Sequence, residues 1–146
     1  MNRSLVLIAI VAALALAQAA PAATSSHLSG GGTASISQIA MNVRFDGSGG
    51  ASGSFNCLMA GRSAFVLGAF GLEHVMKVQA TPTAGSVSWP IATFSGRGFL
   101  ITYGGQRMSV DISVWANVET QEFQLTVVQV GTLPVETFTS GGITLR

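Results

Sequence analysis

The chain has few of the side chains that do chemistry. Among 146 residues there is one cysteine, there are two histidines and one tyrosine, and seven Lys or Arg stand against six Asp or Glu. The lone Cys57 cannot form an intrachain disulfide, so the fold must stand on its core. Charged residues make up 9% of the chain, far below the ~25% usual for a soluble protein. A formal net charge of +1 offers no basic surface for nucleic acid and no acidic tail. With Cys57 and His74 as the only candidate soft ligands outside the N-terminal stretch, no zinc set of usual spacing exists. The carboxylates are too scattered for a calcium loop. No metal and no cofactor is expected. None of Asn42, Asn56 and Asn117 opens an Asn-x-Ser/Thr sequon. A hydrophobic share of 48% excludes disorder.

The apolar residues cluster first at the N-terminus. Met1-Asn2-Arg3 is a short positive region, Leu5 to Leu16 is an unbroken apolar run, and Ala17-Gln18-Ala19 is a small-x-small site followed by Pro21. This three-part pattern predicts a signal peptide over residues 1–19, too short to span a bilayer. The expected destination is secreted or periplasmic, with no membrane span after cleavage. Residues 20–32, rich in Ala, Ser, Thr and Gly, read as a flexible lead-in that includes His27. Residues 33–146 read as a single β domain. All 18 glycines lie at or after Gly30.

From Thr33 the period-two pattern dominates. Ile39, Met41, Val43 and Phe45 alternate with polar or small residues, as a half-buried strand requires. Asp46-Gly47-Ser48-Gly49-Gly50 is a turn signal, and Phe55, Cys57 and Met59 alternate on the return. Residues 72–79 fit a helix or a loop followed by a strand, and the nearby glycines favour the latter. Pro82 to Gly85 predicts a turn. Pro90, inside an expected strand from Val87 to Phe94, suggests an edge or a bulge. Gly104-Gly105 predicts a hairpin leading into the cleanest strand, where Met108, Val110, Ile112, Val114 and Ala116 face one way. Ser109, Asp111, Ser113 and Trp115 face the other. Gly141-Gly142 separates two expected short closing strands. The sum is an all-β, antiparallel β-sandwich or flattened β-barrel of about nine short strands.

Gly30-Gly31-Gly32-Thr33, the Met41 to Phe45 strand and Gly53-Ser54-Phe55-Asn56-Cys57 resemble small exported bacterial β-proteins of uncharacterised role. Val135 to Phe138 and Ser140 to Ile143 are similar in style. The resemblance implies a compact exported all-β domain and carries over no functional residue.

Catalytic patterns are weak. Gly61-Arg62-Ser63-Ala64-Phe65 begins like a nucleophile elbow but ends in Phe65, and no parallel sheet precedes it. Gly47 to Gly53 misses the phosphate-loop spacing and joins two strands. Cys57, between Phe55 and Met59, reads as a small buried hydrophobe. Six carboxylates remain (Asp46, Glu73, Asp111, Glu119, Glu122, Glu136), and a glycosidase needs only two facing each other. Asp111 stands out because it shares a polar face with Trp115. Trp115, Asp111, Tyr103 and Trp89 are therefore the candidate binding residues, with Trp115 either a stacking platform or a core aromatic. No catalytic residue is assigned. The expected function is a non-catalytic exported domain with a binding or structural role. The alternatives are a carbohydrate-binding module built on exposed aromatics and a carboxylate-pair hydrolase. The expected partner is a glycan or a cell-surface protein. The oligomeric state is not legible.

Overall fold

Alternation and turn chemistry produce a sheet that curls back on itself. The computed structural model describes residues 24–59, 76–102 and 105–146. The expected signal peptide, Ser63, His74 and Tyr103 lie outside those residues. Nine strands follow in order: β1 (Ser26–Ala34), β2 (Gln38–Phe45), β3 (Ala51–Met59), β4 (Met76–Ser88), β5 (Ile91–Ile101), β6 (Arg107–Asn117), β7 (Glu122–Val127), β8 (Gly131–Thr132) and β9 (Glu136–Leu145). All pair antiparallel in one sheet, and among the described residues there is no helix.

Neighbours in sequence are neighbours in space from β1 to β7. The chain then returns along β9, which pairs with both β7 and β1. The β6–β7 pairing completes the ring, so the sheet is a closed barrel. β8 and β9 share one edge of β7. They act as a single strand broken at Leu133-Pro134-Val135, because Pro134 has no N–H to give to the ladder.

A barrel of about eight strands has an interior just wide enough to be filled by side chains. Here the filling is apolar. Phe55, Phe94, Phe123, Leu28, Met59, Met76 and Leu100 are fully buried and belong to one continuous core. Phe55 meets Phe94 edge to face, with ring centroids 5.7 Å apart. Cys57 is buried among them, as its alternation implies. The outward set on β2 is Gln38, Ala40, Asn42 and Arg44, and on β6 it is Ser109, Asp111, Ser113 and Trp115. This polarity is the reverse of a lipid-embedded barrel, whose outer band is apolar and whose lumen is polar.

Several boundaries differ from the sequence reading. The first strand starts at Ser26, inside the segment expected to be a flexible lead-in, so the ordered domain includes His27 and Leu28. Glycine-rich composition hides this strand. Leu28 is its buried anchor, and β2 and β9 take up its backbone groups on both sides. The glycines permit the close approach to β9. A methyl group on Gly141, whose φ is +74°, would collide with the Gly31 carbonyl. Gly141-Gly142 therefore sits inside one continuous strand and does not separate two. Pro82 lies within β4 at a register shift between Pro82 and Ala84, not in a turn. Pro90, with Trp89, forms the turn from β4 to β5 and not a strand interior.

Candidate functional site

The long β5–β6 ladder sets the outer face on which the candidate residues stand. Its register places Arg97 opposite Asp111, Phe99 opposite Ser109, and Thr93 opposite Trp115. Asp111 is exposed. Arg97 Nε lies 3.3 Å from Asp111 Oδ1. Gln129, just past the end of β7, approaches from the other side. Its Nε2 donates to Asp111 Oδ2 at 3.3 Å, and its Oε1 accepts the Asp111 backbone N–H at 3.1 Å. The carboxylate is thus held between a guanidinium and an amide.

One step along the barrel, Phe99 is 41% exposed, and the Arg107 guanidinium carbon stands 4.2 Å above its ring. Arg97, Phe99, Ser109, Asp111 and Gln129 line an open cleft of about 460 Å³. The cleft contains charged and neutral donors, acceptors and one aromatic ring. Among the described residues it contains one carboxylate, so within them the paired-carboxylate chemistry of a glycosidase has no second member there. Among the described residues Ser109 has no histidine or second acid beside it in the cleft to act as a base.

Of the four residues singled out from the sequence, Trp89, Asp111 and Trp115 are not brought together. Trp115 shares the outer face with Asp111, but four residues further along the strand, about 13 Å away. It is half-buried between the cross-strand neighbours Thr93 and Gln124. Trp89 is 65% exposed, but it sits in the β4–β5 turn at the opposite end of the barrel from the Asp111 cleft. Tyr103 lies outside the described residues. The cleft is instead completed by Phe99, Arg97 and Gln129. The adjoining hairpin offers Arg107 or Arg97 as a partner for Asp111, and the register selects Arg97. Phe99 stands two positions from Arg97 on the same face of β5. Gln129 reads from alternation as continuing the strand of Phe123, Leu125 and Val127, but β7 ends at Val127 and frees its side chain to reach Asp111.

A second polar cluster is inside the barrel. Glu136, 2% exposed, opens β9 and points into the core. Its Oε2 accepts the Ile36 N–H at 2.9 Å, and the Ser37 hydroxyl donates to the same carboxylate at 2.9 Å. Burial pushes the Glu136 carboxyl up from its ordinary value, and the hydrogen bonds from Ile36 and Ser37 oppose that shift. The neighbouring Cys57 thiol is pushed up to about 12, first by burial and then by the Glu136 charge. Cys57 is therefore a protonated packing residue and not a nucleophile. Two residues on, the Phe138 ring packs 5.7 Å from Phe123. Glu136 ties the β1–β2 turn to the start of β9, with Ser35 Oγ accepting the Thr137 N–H at 3.2 Å beside it.

Among the described residues no three His, Cys, Asp or Glu side chains converge on a point that could hold a metal ion. Comparison with protein-family models, curated proteins and solved structures yields no significant match.

Proposed function

We propose that this chain is an exported, non-catalytic β-barrel that acts by binding at the cell surface, in the periplasm or outside the cell. The observation that carries the reading is the division of its chemistry. The interior is packed with apolar side chains, and the polar groups that could recognise a ligand are displayed on the outer wall around Arg97, Asp111 and Gln129. Such a wall suits a glycan or a surface protein. The carbohydrate reading is favoured by Phe99, an aromatic ring beside planar hydrogen-bonding groups from Arg97, Asp111 and Gln129. The expected export is checked by intact mass, which should place the mature N-terminus at or near Ala20.

The binding test is a glycan array, together with cross-linking to the producing cell's surface. The Arg97→Ala and Asp111→Ala variants should lose capture of whichever ligand is found while keeping the wild-type melting curve. Hydrolysis of a bound glycan, abolished by Asp111→Asn, would overturn the non-catalytic reading.

A further inference from the structure

The wall formed by β9, β1, β2 and β3 differs in charge from the wall that holds the cleft. β1, β2 and β3 contain no Asp or Glu, and the only acid on β9 is the buried Glu136. On this wall three nitrogen-bearing side chains stand in one row. His27 is directly opposite Arg44 in the β1–β2 register. His27 also exchanges both backbone hydrogen bonds with Arg146, at 2.7 and 3.0 Å. The His27–Arg146 pair is thus hydrogen-bonded, and the His27–Arg44 pair is of the closer, non-hydrogen-bonded kind. Their Cα atoms are separated by ~5.5 and ~4.5 Å respectively.

By alternation all three side chains point outward, since Leu28, Val43 and Phe45 face the core. His27 Nε2 donates to Asn42 Oδ1 at 2.9 Å, which fixes the ring beside Arg44. An open cleft of about 360 Å³ is lined by Ser25, Ser26, His27, Arg44 and Arg146. Among the described residues neither Arg44 nor Arg146 takes part in an ion pair, whereas Arg97 on the opposite wall does. The nearest acid in sequence, Asp46, turns Oδ1 to the N–H groups of Ser48 and Gly50.

We infer that the Arg44–His27–Arg146 row is a binding site for the sulfate or phosphate ester group of an anionic glycan. Two guanidinium groups flanking an imidazole match a tetrahedral oxyanion in fork geometry. The sugar body is accommodated by the next row, where Asn42, Ser29 and Thr144 offer small polar side chains in register. A membrane surface fits less well. The exposed large apolar residues (Trp89, Phe99, Met108, Val128 and Val135) all lie outside these four strands. Single-stranded nucleic acid fits less well too, because β1 and β2 turn no Phe, Tyr or Trp outward for base stacking. The site is independent of the Asp111 cleft and stands whether or not that cleft binds a ligand.

The test is titration of the mature protein, followed by calorimetry and by amide chemical shifts. The probes are a heparin-derived tetrasaccharide, its desulfated form, inorganic phosphate, phosphatidylglycerol vesicles and a short DNA oligonucleotide. The sulfated sugar should bind more tightly than its desulfated form, with shifts centred on Ser26 to Leu28 and on Arg44. Binding should weaken with added salt. The Arg44→Gln/Arg146→Gln double variant should lose about tenfold or more in affinity. Because the two arginines are exposed, an unaltered melting curve separates lost binding from lost fold, and the wild-type shift map stands without any variant. Equal binding of the desulfated sugar, undiminished binding by the double variant, preference for vesicles or DNA, or no binding of any probe would each overturn the assignment.

Discussion

The barrel has a long-laddered wall and a short seam, and they are held together in different ways. From β1 to β6 the strands run 8 to 13 residues, and their backbones supply the rungs. β7 has six residues and meets β9 at only two Cα pairs, Glu122–Thr137 and Phe123–Glu136. Glutamine side chains continue the ladder at both ends of β7. Gln121, at φ +57°, accepts the Ile143 N–H on Oε1 at 2.8 Å and donates from Nε2 to the Ile143 carbonyl at 3.0 Å. At the other end Gln129 takes the N–H of Asp111. Between them Gln124 donates to the Leu133 carbonyl at 3.0 Å, beside the proline break. A side-chain amide has the same donor and acceptor as a peptide group, so a barrel can close on a strand too short to close it with backbone alone.

The comparison breaks most severely in the wall's packing. Phe55→Ala removes a fully buried ring that touches Phe94 across the interior. It should cost ~3–5 kcal/mol, read as a lower denaturant midpoint with all amides losing protection together. At the seam Gln121→Ala should cost ~1–3 kcal/mol, since it strands the Ile143 N–H and carbonyl. Its signature should be local. Hydrogen exchange should speed up at Ile143 and Phe138 while the β3–β5 amides keep their rates. Uniform acceleration throughout the barrel would mean that wall and seam open as one unit and that the distinction has no energetic content.

What was legible divides along the same line. β2 and β6 could be read residue by residue, because one face of each is buried and a one-residue slip would invert the pattern. β1 was missed because its stability lies in backbone pairing on both sides and not in its side chains. The prolines misled for a related reason. Pro82 is tolerated within β4 because a bulge there relieves the ladder, whereas Pro90 finds its place in a two-residue turn. Closure, Gln121, Gln129 and Glu136 were hidden because each depends on which distant strands meet. The Glu136–Ile36 contact joins residues 100 apart in sequence. The cleft was half-legible. Asp111 and its outward face followed from period two, but its neighbours come from hairpin register and from the end of β7.

Glu136 sharpens the comparison through pH. Its carboxyl is pushed above the ordinary 4.5, chiefly by burial, so between the unfolded and folded values the native state binds more protons than the unfolded chain. Stability therefore falls as pH rises through that window, and the contribution is fully present only below the unfolded value. Asp46 acts in the opposite sense at lower pH. The backbone N–H of Ser48, foremost, and that of Gly50 hold it below 3.8, so its contribution is lost as pH falls. Glu136→Gln keeps the shape and an acceptor for the Ile36 N–H but removes the ionisation. Denaturation measured from pH 4 upward should show the declining slope flattened in the variant. An unchanged slope would place the titrating group elsewhere.

The smallest stability effect should come from the residue that matters most for the proposed function. The Arg97 and Asp111 side chains are 87% and 53% exposed, so their attraction is screened by water and offset by the cost of ordering two side chains. Asp111→Ala also removes the Gln129 Nε2 contact, but the backbone bond from Asp111 N–H to Gln129 Oε1 does not involve the carboxylate and should remain. The expected loss is under ~1 kcal/mol, with the difference between wild type and variant shrinking as salt is added. Set against Gln121→Ala, this tests what each glutamine is for. If Asp111→Ala instead cost as much as the seam variant, and the β6–β7 amides near Val128 lost protection with it, the Arg97–Asp111–Gln129 cluster would be a third stitch in the barrel. The cleft would then have lost the ground for reading it as a recognition surface.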